Sequence, residues 1–100
     1  MQVFDRALLD SVKLEPCCWC GRPGPSDPHH IFTKGMGSGG QLDIPENVVP
    51  LCRQDHDDYH AARQGKRGRI MRCDLLAIAA ARCQTTQDAI KAEIARLRRI

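Results

Sequence analysis

Four of the six cysteines, Cys17, Cys18, Cys20 and Cys52, lie in the same half of the chain as all four histidines, His29, His30, His56 and His60. That clustering constrains the fold more than any other feature. One hundred residues suit a single domain, 1–100, and a core of that size leaves a net stability of only roughly 3–5 kcal/mol, so a further staple is expected. Aromatic residues make up 4% of the chain, which sharpens the shortage of core. Thiols grouped with imidazoles point to bound metal before disulfides. The N-terminal stretch MQVFDRALLDSVKLEP carries Asp5, Asp10 and Glu15 and has neither the apolar run of a signal peptide nor a membrane span. A cytoplasmic, reducing setting and no membrane partner are therefore expected.

The net charge of +3 conceals an asymmetry. Residues 1–60 carry 5 Lys/Arg against 9 Asp/Glu, a net −4, whereas residues 61–100 carry 10 against 3, a net +7. A basic half suits an anionic partner; its bland alternative is a solvated helix surface.

Phe4, Ala7, Leu8 and Val12 recur at helical spacing and predict an amphipathic helix over residues 3–13, ended before Pro16 and covering the core. CCWCGRPG has the spacing and following glycine of a metal knuckle, whose backbone N–H groups can point at thiolates, with Trp19 packing beside it. Two short antiparallel strands are predicted at His29–Thr33 and Asn47–Leu51, joined by a long loop containing GMGSGG; Pro50 limits the second to a short or edge strand. The glycine run lacks the Lys-Ser/Thr of a phosphate-binding loop and reads as a flexible connection. Residues 53–64 form a polar helix ended near Gly65, and the linker GKRGR follows. Helices are predicted at Ile70–Cys83 and Thr85–Arg99, paired as an αα-hairpin. The second has Thr85 and Asp88 as a capping box and Ile90, Ile94 and Leu97 as its apolar stripe. That stripe also suits a homodimer. Cys18, Cys73 and Cys83 read as small buried side chains.

His56 and His60 stand four apart on a predicted helix, so their imidazoles share a face and can share an ion. His29 and His30 are neighbours on a strand and point to opposite faces. Together they supply three neutral imidazole ligands and one spare base, the complement of a hydrolytic metal site with open positions.

The order Cys17-x-x-Cys20, Asp27-Pro28-His29-His30-Ile31, Asn47-Val48-Val49-Pro50-Leu51-Cys52 and His56-x-x-x-His60 resembles the HNH endonucleases of the ββα-metal fold over about residues 16–61. The likeness is to the small members of bacteriophages and bacteria that carry a cysteine zinc knuckle. It implies a small α+β fold in which a ββα-metal core over 16–64 is joined by an N-terminal helix and a basic helical C-terminal extension over 69–100. It also implies cleavage of DNA phosphodiester bonds with low sequence specificity. His29, His56 and His60 would hold a catalytic divalent ion (Mg, Mn, Ni or Zn). His30 would be the general base, and Asn47 the brace that holds the long loop and orients that base. Neutral histidine suits that task because an unperturbed imidazole is largely uncharged at physiological pH.

The resemblance further implies a structural zinc on Cys17, Cys20 and Cys52, completed three residues after the third cysteine. That position is Asp55, where the family usually has cysteine or histidine. Asp55 binding through oxygen, Cys18 in its place, and an incomplete site all stay open. Arg63, Lys66, Arg67, Arg69 and Arg72 follow the metal helix and are the candidates for phosphate contacts, while Arg96, Arg98 and Arg99 read rather as solvating the terminal helix. The competing reading is a non-catalytic Cys2His2 zinc module of Cys17, Cys20, His56 and His60, binding nucleic acid or a protein. Its spacer of 35 residues is far longer than the usual finger's.

Overall fold

In a computed structural model, residues 3–32, 41–63 and 70–98 are described, the side chains of 60–63 excepted. Along the described chain run α1 (Arg6–Lys13), β1 (Asp27–His30), β2 (Val48–Leu51), α2 (Arg53–Arg63), α3 (Arg72–Arg82) and α4 (Gln87–Arg98). The fold is small α+β: one antiparallel hairpin, the helix that follows it, an N-terminal helix and a C-terminal helical pair.

β1 and β2 pair in the register Asp27 with Leu51, Pro28 with Pro50, His29 with Val49 and His30 with Val48. Two prolines face one another, which an antiparallel ladder tolerates only at a non-hydrogen-bonded pair, where neither N–H is needed. The Pro50 carbonyl accordingly turns outward and accepts the Cys18 amide at 2.8 Å. The first strand begins and ends earlier than the sequence suggests: Thr33 lies outside the described residues, and the ladder stops where Asn47 enters a turn. β2 is short, as Pro50 requires, yet all four of its residues are buried.

The first helix starts at Arg6, not at residue 3. Val3 is engaged in a parallel bridge with Leu42, and the Asp5 carboxylate caps the helix by accepting the Leu8 amide at 3.0 Å. Phe4 consequently falls outside the amphipathic pattern and is exposed, while Val12 is buried. At the far end of α1, Ser26 donates its amide to the Lys13 carbonyl and its hydroxyl to that of Glu15 (2.9 and 2.7 Å), securing the helix to the strand that follows.

α3 and α4 close the core. Leu75, Leu76, Ala79 and Ala80 pack with Ile90, Ile94 and Leu97 against Val49, Leu51 and Tyr59. The α4 stripe is thus used within the chain, which removes the sequence-based reason to expect a homodimer through it. α3 ends in a Schellman turn in which the Thr85 amide reaches the Ala80 carbonyl at 2.9 Å and Gln84 adopts φ +54°. Because Thr85 is committed to that turn, the α4 cap is Thr86, whose hydroxyl accepts the Ala89 amide at 3.1 Å. Cys73 is exposed and Cys83 only half-buried, so neither is the core side chain expected of it, whereas half-buried Cys18 packs against the core. The left-handed backbone at Gln84 is one that glycine adopts without steric cost. Gln84→Gly is therefore expected to raise stability by about 0.5 kcal/mol, read as a small rise in Tm.

Candidate metal centre and histidine site

The CCWC segment closes into a tight turn in which the Cys17 amide donates to the Arg22 carbonyl and the Gly21 amide returns to the Cys17 carbonyl (2.9 and 3.0 Å). Gly21 sits at φ +78°, which a residue with a Cβ rarely adopts. Cys52 follows β2 and accepts the His56 amide at its carbonyl, so it stands at the threshold of α2. Asp55, three residues on, shares its side of the first turn and is only 2% exposed. The Asp55 Oδ2 atom lies 3.2 Å from Cys17 Sγ and 3.3 Å from Cys52 Sγ, and the sulfurs of Cys20 and Cys52 are 3.8 Å apart.

All four donor atoms fall within 4.8 Å of one another and could hold a metal ion. A Zn–S bond of about 2.3 Å in a tetrahedral shell would itself place sulfurs about 3.8 Å apart. Cys18 is not in the group, so the fourth donor is Asp55. Two of the thiols in the cluster are shifted by their neighbours. Burial works to raise the Cys17 thiol, but the amides of Cys20, Cys52 and Trp19 outweigh it and hold it below its ordinary value. The Arg22 amide acts to lower Cys20, yet Asp55 and the neighbouring sulfurs of Cys17 and Cys52 override it and push that thiol up to about 11. Thiols and a carboxylate crowded in this way favour a shared cation. Cys18, outside the cluster, is pushed up to about 11, chiefly by burial and then by the neighbouring Cys17 and Asp55.

On the neighbouring face of α2 stand the histidines. Asp27 and His29 alternate onto one face of β1, where the His29 ring meets that of His56 edge-on at 5.1 Å and that of Tyr59 at 4.6 Å. His29 is 4% exposed. His56 donates through Nδ1 to the Asp27 Oδ2 atom at 3.2 Å, and Arg53 approaches the same oxygen at 3.4 Å. A histidine whose Nδ1 is so engaged presents Nε2 outward, the arrangement that orients metal-binding imidazoles. The backbone of His60 continues α2 one turn on, but its side chain lies outside the described residues.

His30 takes the other face of β1. Its Nε2 atom lies 2.7 Å from the Asp43 Oδ1 atom. Asn47 is fully buried and spans the long loop: its Oδ1 accepts the Phe32 amide at 2.8 Å, and its Nδ2 donates to the carbonyls of Phe32 and Leu42 at 2.9 and 3.0 Å. Phe32 and Leu42 flank the undescribed stretch 33–40, which includes the glycine run. One amide thus joins the two ends of that connection. Among the candidate DNA contacts, the Arg63 side chain and Lys66, Arg67 and Arg69 lie outside the described residues. Arg72 places its guanidinium 5.1 Å from the Phe32 ring centre, and Arg98 does so at 5.6 Å.

Asp27, Asp43 and Tyr59 belong to this region without having been singled out from the sequence. Asp27 was legible as the alternate residue to His29 on one strand face. Asp43 carried no local signal, because contacts distant in sequence, the bridge between Val3 and Leu42 and the Asn47 bond to the Leu42 carbonyl, bring it to His30.

Fold and site together define a small α+β domain with a four-donor cluster able to bind metal beside a histidine-bearing strand and helix. The family described as "Protein of unknown function (DUF968)" matches residues 2–66, and the chain belongs to it. It is also similar to "Uncharacterized protein YdfU" of Escherichia coli (strain K12), with 43% identity over 49 residues. That stretch covers 49% of this chain, which spans 14% of the relative's length. No solved structure matches.

Replacing Asn47 by Ala removes the partner of the part-buried Phe32 amide and carbonyl and of the buried Leu42 carbonyl. Thermal or chemical unfolding is expected to register a loss of about 2–3 kcal/mol.

Proposed function

We propose that this chain is a metal-dependent HNH endonuclease that hydrolyses DNA phosphodiester bonds with low sequence preference, with a structural zinc in the Cys17, Cys20, Cys52 and Asp55 cluster. The observation that carries the reading is the division of labour along one strand. His29 turns towards His56 on α2, and His30, the next residue, turns the other way and is held at 2.7 Å by Asp43. Two imidazoles gathered across strand and helix, one of them backed by a carboxylate, suit a divalent ion. His29 and His56 would hold it with His60. When bound, such an ion stabilises negative charge on the phosphate and on the departing 3′ oxygen.

The protein's own groups supply the rest. His30 removes the proton from the attacking water, for which a positioned imidazole typically contributes roughly 10²- to 10⁴-fold. Asn47 ties Phe32 to Leu42, on either side of the long connection that follows His30. Arg63, Lys66, Arg67, Arg69 and Arg72 supply phosphate contacts, which orient a duplex without reading its sequence.

The rival Cys2His2 module would need His56 beside Cys17 and Cys20. His56 instead pairs with Asp27, and the cysteines gather Cys52 and Asp55. That geometry favours two separate sites.

The test is incubation of supercoiled plasmid with the purified protein in Mg²⁺, Mn²⁺, Ni²⁺ and Zn²⁺ in turn, beside His30→Ala. Nicking by the parent in at least one metal is expected, with a loss of roughly 10²-fold or more in a variant of unchanged Tm. Equal cleavage by parent and variant, or none in any metal, would reject the reading.

A further inference from the structure

We infer that Asp43 is a positioning residue for His30: it fixes the imidazole as the Nε2–H tautomer and so makes Nδ1 the atom that accepts a proton. The role assigned to Nδ1 rests on the nuclease reading above; the state of the ring does not.

The Asp43 side chain is 1% exposed, whereas that of His30 is 23% exposed, so the pair runs from the interior to the surface. Two protein donors besides His30 already converge on the carboxylate through three hydrogen bonds. The Asp5 amide reaches Oδ2 at 2.9 Å, and the Gln41 side-chain amide reaches Oδ1 at 3.1 Å and Oδ2 at 3.3 Å. A buried carboxylate so surrounded stays ionised. Burial works to raise its pKa, but the hydrogen bonds from Asp5, His30 and Gln41 prevail and hold it below the usual carboxylate range. An ionised carboxylate only accepts, so the His30 atom facing it at 2.7 Å must carry the hydrogen. In neutral imidazole the other nitrogen is then the lone-pair acceptor.

The anchor is held from outside the hairpin. The Val3 amide donates to the Gln41 carbonyl and the Asp43 amide to the Val3 carbonyl, both at 2.9 Å, so residues 3–5 run alongside 41–43 and fix the carboxylate. The segment before α1 thereby helps to orient the His30 ring.

Replacing Asp43 by Asn reverses the demand. The Asn oxygen can still serve the Asp5 amide, but its NH₂ group faces the imidazole as a donor, and His30 must move its proton to Nδ1 to accept it. The same exchange in a catalytic triad leaves geometry intact and disables the base through the wrong tautomer.

The decisive experiment is ¹⁵N–¹H correlation spectroscopy of the imidazole rings in the zinc-loaded full chain at mildly alkaline pH, with His30 assigned by comparison with His30→Gln. The parent is expected to show a protonated Nε2 and an unprotonated Nδ1, and Asp43→Asn the reverse. A parent His30 protonated on Nδ1 would overturn the inference without any variant, so failure of Asp43→Asn to fold does not shelter it. An identical tautomer in parent and folded Asp43→Asn would overturn it as well. On plasmid, the variant is expected to lose roughly 10²-fold or more in kcat while KM for DNA stays within a factor of about two. A rise in KM at constant kcat would contradict positioning. Absence of cleavage in the parent, with the Nε2–H tautomer present, would reject the nuclease reading and leave the histidine–aspartate pair standing.

Discussion

Cys17, Cys20, Cys52 and Asp55 meet where three parts of the chain converge: the knuckle turn, the end of β2 and the first turn of α2. The placement of the first turn of α2 follows from that junction. Asp55, on the first turn of α2, is three positions after Cys52 at the helix threshold, and His56 is the residue after Asp55. Anchoring the first turn therefore fixes the rotation at which His56 faces Asp27 and His29. The Cys18 amide adds a hydrogen bond to the Pro50 carbonyl, so the knuckle also grips the outer edge of β2. In a chain with so little aromatic core, a bound ion at this place would matter greatly. A closed structural zinc contributes roughly 10–16 kcal/mol of apparent binding free energy, against about 3–5 kcal/mol of net stability for a domain of this size.

The second constraint is the two-residue period of β1. It sends Asp27 and His29 to the helix side and His30 to the other, so adjacent histidines meet different partners. Val3 and Asp5 then bring the 41–43 segment to that other side, and Asn47 joins Phe32 to Leu42 so that the long excursion between them begins and ends at fixed points. The metal cluster sets the helix face; the paired backbone of residues 3–5 and 41–43 sets the face that holds His30.

Much of this could be read from residues alone because the signals were local. Cys-x-x-Cys followed by Gly21, the apolar stripe of Ile90, Ile94 and Leu97, and the run Val48–Leu51 each specify an element by spacing and side-chain type. Asp55 stood at the right separation from Cys52, and the fold selects it over Cys18. What escaped depends on contacts distant in sequence. The helical period through Phe4 was overridden by the Val3–Leu42 bridge, and the Thr85 cap was displaced to Thr86 by the Schellman turn at the end of α3. Asp43 sits 13 positions from His30 across the glycine-rich connection, and nothing in the sequence near either residue announces the pairing.

That the cluster at the start of α2 carries a structural ion on which the fold depends is best tested by thermal unfolding of the purified chain before and after treatment with a strong zinc chelator, with zinc restored in a third sample. The account predicts a large fall in Tm, or loss of the cooperative transition, on chelation and its recovery with zinc. A metal-free chain that unfolds cooperatively at an unchanged Tm would contradict it.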